Sequence, residues 1–233
     1  MTRFSQLLAS ARRKERPLVL IASLPRNDLA LAQAALEGGA DVVKLHINLT
    51  HRASQTHIGS LAEERPALEE ILKLWRGKPV GIVPGNLETI NAGEVEQLAE
   101  MGFDFLSLYL KDAPVGLLPP SSQLERMLAL SHVDPPELAA SLDALDLQIC
   151  ELSIMAPETY GQPLTQHDLA RYATARRLTQ KPLVVPSQHK IPPQAAPDLA
   201  AMGIEGIMLG SIVCGAAPHT WFEAFSAFKD KLM

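Results

Sequence analysis

The sequence is poor in aromatic residues, at 5%, and holds only two cysteines, Cys150 and Cys214, in 233 residues. With so few aromatic rings, a core has to be built from Leu, Ala, Val and Ile, which the 47% hydrophobic content supplies. That apolar fraction excludes intrinsic disorder, which requires low hydrophobicity and high net charge. The two cysteines have neither CxxC spacing nor a secretory context, and they read as small reduced core residues of an intracellular protein. A surplus of positive charge is also missing. The formal net charge is −5, so nothing tracks a phosphate backbone and a nucleic-acid partner is not expected. One local exception, Arg12, Arg13, Lys14 and Arg16, reads as the solvated end of a leading helix. Every apolar run is broken within about ten residues, short of the roughly 18 that a membrane span needs. Residues 1–16 lack the apolar centre and small-residue cleavage site of a signal peptide. The expectation is a cytoplasmic protein with neither membrane nor nucleic acid as partner.

What is present is punctuation and alternation. Eighteen prolines and fourteen glycines separate short apolar runs, and the length suits one large core. Strands are expected at 18–23, 41–47, 79–83, 103–110, 127–133, 146–153, 182–185 and 206–209. Helices are expected at 27–37, 61–76, 91–101, 135–145, 165–179, 193–202 and 221–231, with only a short or irregular one between 114 and 123. Thr165 with Asp168 three residues on is an acidic variant of the capping box. The strands are apolar almost throughout, as when both sheet faces are covered. Eight of them, alternating with helices, predict a closed (β/α)8 TIM barrel, a single α/β domain spanning 1–233 behind a leading helix. The competing open doubly wound sheet would carry a Gly-rich loop after its first strand, and residues 22–26 (ASLPR) contain none. No repeat beyond the βα unit is visible.

In such barrels the reactive groups sit at the C-terminal strand ends and in the loops that follow. Those ends offer Ser23; Lys44 and His46; Asn86; Ser107, Tyr109 and Lys111; Ser131, His132 and Asp134; Glu151 and Ser153; and Ser187, Gln188, His189 and Lys190. Period-two alternation turns Lys44 and His46 inward, because Val43, Leu45 and Ile47 must pack on the helices. A buried lysine needs a partner, and Glu151 is the leading candidate. Such a pair can be a purely structural ion pair, or burial can tune one member for proton transfer near neutral pH. A Schiff-base role for Lys44 is a further reading. His46 suits a hydrogen-bonded core histidine as well as a catalyst. Lys111 and Lys190 suit either solvent or an anionic substrate. Gly210 and Ser211, between a strand and a short helix, form an anion site or a mere tight turn. The polar loop 50–60 (THRASQTHIGS) reads as a mobile lid with Arg52 touching substrate, or as a solvated loop.

The stretch MGIEGIMLGSIV (202–213) resembles the seventh-helix and eighth-strand region of the ribulose-phosphate-binding barrel superfamily. GGADVVKLHINLTHRASQTHIGS (38–60) resembles the second-strand region of its ribulose-phosphate 3-epimerases. The resemblance implies a phosphate grip after strands seven and eight, with Gly210 and Ser211 as contacts. Departures accompany it: residues 186–191 (PSQHKI) lack a glycine pair, so Lys190 would replace backbone amides as a point charge. The third strand has no histidine and the second has Lys44 in place of an acid, so a metal site of the epimerase kind is not expected. Glu151 stands where the superfamily's sugar-acid aldolases have their Schiff-base lysine.

The expected function is an enzyme, an epimerase, isomerase or lyase, that transfers a proton next to a carbonyl of a small phosphorylated metabolite. Glu151 is base or acid, and Lys44 is its partner or an electrophile. Lys190, Gly210, Ser211 and Lys111 serve the phosphate, while Asn86, His46, Arg52 and Ser23 contact polar groups. No cofactor is required, and a homodimer is expected. The alternatives are a non-catalytic phosphate-ligand barrel and a prenyl transferase on a phosphorylated glycerol. The last would need an acidic Mg²⁺ site near the first strand, where only Asp28 is available.

Overall fold

The computed structural model describes residues 3–118 and 122–233. Eight strands close into a ring: β1 (Val19–Ser23), β2 (Val42–His46), β3 (Val80–Val83), β4 (Phe105–Tyr109), β5 (Glu125–Ser131), β6 (Ile149–Ser153), β7 (Leu183–Pro186) and β8 (Gly206–Leu209). Each pairs in parallel with its chain neighbours, and β8 pairs with β1. The helices are α1 (Arg3–Arg12), α2 (Leu29–Gly38), α3 (Leu61–Leu74), α4 (Ala92–Met101), α5 (Gln166–Leu178), α6 (Ala196–Ala201), α7 (Ser211–Cys214) and α8 (Pro218–Leu232). The protein is a (β/α)8 barrel. Among the described residues no helix is long and apolar enough to cross a membrane.

Alternation along each strand sorts side chains into two cores. Outward residues such as Leu20, Val43, Leu45, Ile82, Leu152 and Ile207 pack against the helices. Inward residues Ile21, Val42, Phe105, Met127, Ile149, Val184 and Met208 fill the barrel's lower interior, together with Phe4 and Leu8 of α1. Thus α1 plugs the N-terminal mouth, with the Phe4 and Phe105 ring centroids 4.5 Å apart. The fit depends on Gly81, since a Cβ there would lie 2.0 Å from Phe105 Cζ.

The same mouth carries a repeat that the sequence reading passed over. Just before β2, β4, β6 and β8, a side chain accepts a hydrogen bond from a backbone N–H at the start of the preceding odd strand. The pairs are Leu20 N to Asp41 (3.0 Å), Val80 N to Asp104 (2.9 Å), Arg126 N to Gln148 (2.8 Å) and Leu183 N to Glu205 (2.7 Å). Each satisfies a strand-end donor that the ladder leaves over. Three of these acceptors are carboxylates, and arginines hold them: Arg16 on Asp41 (2.5 Å), Arg3 on Asp104 (3.0 Å), and Arg12 (2.9 Å) with Arg176 (3.2 Å) on Glu205. This corrects the reading of the basic cluster. Arg12 and Arg16 are tied to strand-entry carboxylates, and Arg13 pairs with Glu15.

Other differences lie in the middle of the chain. Residues 135–145 form a 3-10 helix, Pro136–Ala144, instead of an α-helix. Nine residues rise about 18 Å in 3-10 form against about 13 Å in α, so the tighter coil spans the return along a strand. Strand β5 runs two residues earlier than expected, because Asp134 accepts from both the Ser131 backbone N–H and hydroxyl and closes the strand there. The short helix expected at 114–123 falls partly outside the described residues, and a 3-10 turn Leu110–Asp112 precedes it. The capping box of Thr165 and Asp168 is formed.

Gly81→Ala should destabilise the fold by about 1–3 kcal/mol through overpacking against Phe105. Urea unfolding measures it, and an unchanged midpoint would contradict the fit described here.

Candidate active site

Inward-facing residues change character along the barrel axis, polar above and largely apolar below, where the buried Glu125 of β5 accepts from the Ser5 hydroxyl of α1. At the C-terminal end they line a cleft with about 1020 Å³ of space free of protein atoms, part of it open to solvent. Ser23, Lys44, His46, Arg52, Asn86, Glu151, Gly210 and Ser211, all singled out in the sequence, line it. Lys111 and Lys190 do not: Lys111 Nζ pairs with Asp112 at 2.7 Å, and Lys190 is exposed, its backbone bridged to Pro163.

At the floor, Lys44 Nζ lies 3.2 Å from Glu151 Oε2. Strands β2 and β6 stand four places apart in a ring of eight, diametrically opposite, so the two side chains meet near the barrel axis. Both are buried. Ser107 Oγ on β4 donates to the same Glu151 oxygen at 3.3 Å. Glu151 Oε1 has no hydrogen-bond partner among the described residues and is not an enclosed atom, so the cleft is its only source of partners.

Two histidines stand above Lys44. Burial, with His51 and Lys44 close by, holds the His46 imidazole well below its usual range, and its Nδ1 has no partner among the described residues. Burial and Lys44 push His51 down to about 4. The Ser54 N–H donates to His51 Nδ1 (3.3 Å), so a neutral His51 carries its proton on Nε2. The rings meet edge to face, 4.9 Å apart.

His51 and Arg52 are carried by residues 50–60, which form a short antiparallel hairpin of Leu49–Thr50 and His57–Ile58. This segment is hydrogen-bonded rather than a featureless loop, and Arg52 stacks over the Tyr109 ring at 4.9 Å. On the far wall, Ser187 Oγ accepts from the Gly210 N–H at 2.9 Å. Ser211 and Ile212 open α7, so their N–H groups have no acceptor within the helix. Asp28 caps α2 through the Ala30 and Leu31 amides and pairs with Arg26, which leaves it outside the cleft lining. No group of three or more His, Cys, Asp or Glu suited to a metal ion occurs among the described residues.

The reading from sequence named strand ends but passed over what joins them. Tyr160, just beyond the 3-10 turn Pro157–Thr159, and Gln188, after β7, meet Tyr109 and Ser153 in one hydrogen-bonded cluster. A signal was present, since one of only three tyrosines stands shortly after a strand end.

No protein-family model matches the chain, and no curated protein does. Solved structures match over nearly its whole length. A tryptophan synthase from Mycobacterium tuberculosis gives a TM-score of 0.70 at 14% identity, covering 99% of this chain and 98% of that one. A mutant tryptophan synthase alpha-subunit from Pyrococcus furiosus gives 0.68 at 13% identity, covering 93% and 98%. Thiamine phosphate pyrophosphorylase from the same organism gives 0.64 at 14% identity, covering 94% and 97%. These are TIM barrels. At such identities the likeness carries the fold alone.

Two outcomes follow. Lys44→Met should cost about 3 kcal/mol by stranding Glu151, and Lys44→Met with Glu151→Leu should recover most of that loss, as a denaturant double-mutant cycle would register. Because His51 is neutral in the fold down to about pH 4, while an unfolded histidine protonates near 6.5, stability should fall as pH drops from about 6.5 to 4. His51→Gln should lower that slope by up to one proton, about 1.4 kcal/mol per pH unit. An identical pH profile in the variant would show that His51 does not contribute.

Proposed function

We propose that the protein is an enzyme of the ribulose-phosphate-binding barrel kind, acting on a small phosphorylated metabolite by proton transfer next to a carbonyl. The chemistry is that of an epimerase, isomerase or lyase. The observation that carries the reading is Glu151, buried on the axis, with one oxygen bonded to Lys44 and Ser107 and the other available only to the cleft. A buried carboxylate with one unused oxygen beneath an open cleft suits a base.

In this reading Glu151 Oε1 takes the proton from the carbon beside the carbonyl. The C–H electron pair moves into the C–C bond, and the carbonyl oxygen gains the negative charge. Lys44 Nζ stabilises that oxygen as a preorganised cation. The neutral His46 and His51 orient hydroxyl groups, and Asn86 contributes at the rim. The phosphate is taken by Ser187, whose hydroxyl proton is unused, and by the first amides of α7 at Ser211 and Ile212. Gly210 shapes that turn, its own N–H already donated to Ser187. Lys190, exposed and outside the cleft, has no part in this scheme. No step needs a cofactor. The fold relatives support the coarse form of the reading, as enzymes of the same architecture, one named for a phosphorylated compound. A cytoplasmic setting accords with two buried free cysteines.

The test is proton exchange. Incubated in D₂O with a panel of sugar phosphates, the protein should wash deuterium into the carbon next to the carbonyl of at least one, followed by proton NMR. Glu151→Gln should slow that exchange by roughly 10²–10⁴. A panel member that binds without exchanging would make the chain a ligand-binding barrel and remove the enzymatic reading.

A further inference from the structure

The wall of the cleft beyond β4, β6 and β7 has hydrogen-bond donors in excess. Gln188 sets their direction. Its Oε1 accepts the Met155 backbone N–H at 3.0 Å, which turns Nε2 toward the cleft, where it donates to Ser153 Oγ (2.9 Å) and Tyr160 OH (2.6 Å). Both amide protons are then used. Ser153 Oγ also bonds to Tyr109 OH at 3.1 Å, and one hydroxyl proton serves that contact. Three hydroxyls therefore enter the cluster with three protons, and only one finds an acceptor within it. Two O–H donors are left over, one on Tyr160 and one on the Ser153–Tyr109 pair. All four residues line the cleft, and among the described residues these hydroxyls have no other partner.

The surplus fits only a ligand that accepts. A tyrosine hydroxyl in this cluster stays protonated, because burial and the neighbouring Tyr160 push the Tyr109 phenol up. A cation stands beside the pair, since the Arg52 guanidinium lies over the Tyr109 ring, 4.9 Å from its centroid. Two convergent hydroxyl donors beside an arginine match the two oxygens and single charge of a carboxylate. Position adds the second half of the argument. Strand β4, which carries Tyr109, and strand β8, which leads into Gly210, stand diametrically opposite in the ring. Ser153 and Tyr160 follow β6 and Gln188 directly follows Ser187, so the cluster runs from Tyr109 to the edge of the Ser187–Ser211 wall, and a ligand with its phosphate at that wall brings an adjoining group against the tyrosines.

We infer that Tyr109 and Tyr160, oriented by Gln188 and joined by Arg52, form a carboxylate-binding subsite, and that the substrate is a small molecule bearing a phosphate at one end and a carboxylate at the other. This rests on the proposed reading of the adjoining Ser187–Ser211 wall as the phosphate end. Gln188 is a positioning residue: it touches no substrate, and it fixes which oxygens of the cluster keep a proton to donate.

Two probes separate this inference from the reading beneath it. Glycerol 3-phosphate and 3-phosphoglycerate are both three-carbon phosphates, and only the second carries a carboxylate. Calorimetric titration of the wild-type protein should show 3-phosphoglycerate binding about tenfold or more tightly than glycerol 3-phosphate, the scale of a hydrogen bond to a charged group. Tyr109→Phe and Tyr160→Phe should each shrink that ratio severalfold. The ratio compares two ligands on one protein sample, so a general loss of fold does not imitate the effect. Gln188→Glu, which accepts where the amide donates and so consumes the surplus protons, should abolish the preference. Equal affinity for the two probes, or a ratio unmoved by the tyrosine substitutions, overturns the subsite and leaves the phosphate reading standing. Binding of neither probe overturns both.

Discussion

The polar half of this barrel is organised around one ion pair on its axis. Lys44 and Glu151 come from opposite strands and meet across the interior, 3.2 Å apart. Each charge would be costly in that position without the other, and Ser107 adds a neutral donor to the same carboxylate oxygen. The pair divides the barrel. Below it the interior is sealed by Ile21, Val42, Phe105, Met127 and the plug of Phe4 and Leu8. Above it the walls turn polar and open into the cleft. A second cationic group near Lys44 is disfavoured, which is why burial and its charge together hold His46 and His51 neutral.

The two mouths of the barrel solve different problems with the same chemistry. At the closed end, Asp41, Asp104, Gln148 and Glu205 spend their oxygens on strand-entry amides, and arginines neutralise the three carboxylates among them. At the open end the hydroxyls and amides outnumber their acceptors, around Tyr109, Tyr160, Ser187 and the start of α7. The −5 net charge opposes an anion over the whole surface, so in the proposed reading attraction comes from local donors in the cleft.

Much of this was legible from residue order alone. Alternation in VVKLH required Lys44 and His46 to face inward, and burial required a carboxylate partner, which the structure supplies as Glu151. The Gly-then-acid pattern before β2, β4 and β8 was equally visible, in GGAD, MGFD and MGIE, yet its meaning appears only when each acid is seen beside the preceding strand's first amide. The basic run after α1 was misread for the same reason: charge along a chain does not reveal which acids the fold will bring opposite. Lys111 and Lys190 stood at strand ends, but a strand end faces the cleft only while the strand lasts. Strand β4 stops at Tyr109, and the 3-10 turn after it places Lys111 against Asp112.

Residue order alone carried the periodicities: eight short apolar strands, most of the helices between them, and the inward side of β2. These are local properties, set by which residues share a face at a spacing of two or of about 3.6. Tertiary structure decided which inward residues meet. Closure of the ring brings β2 across from β6 and β4 across from β8, over more than a hundred residues in each case, and no local pattern encodes that distance. The direction of the hydroxyls around Gln188 is decided later still, by a single backbone N–H at Met155 that exists in the right place only once the barrel has closed.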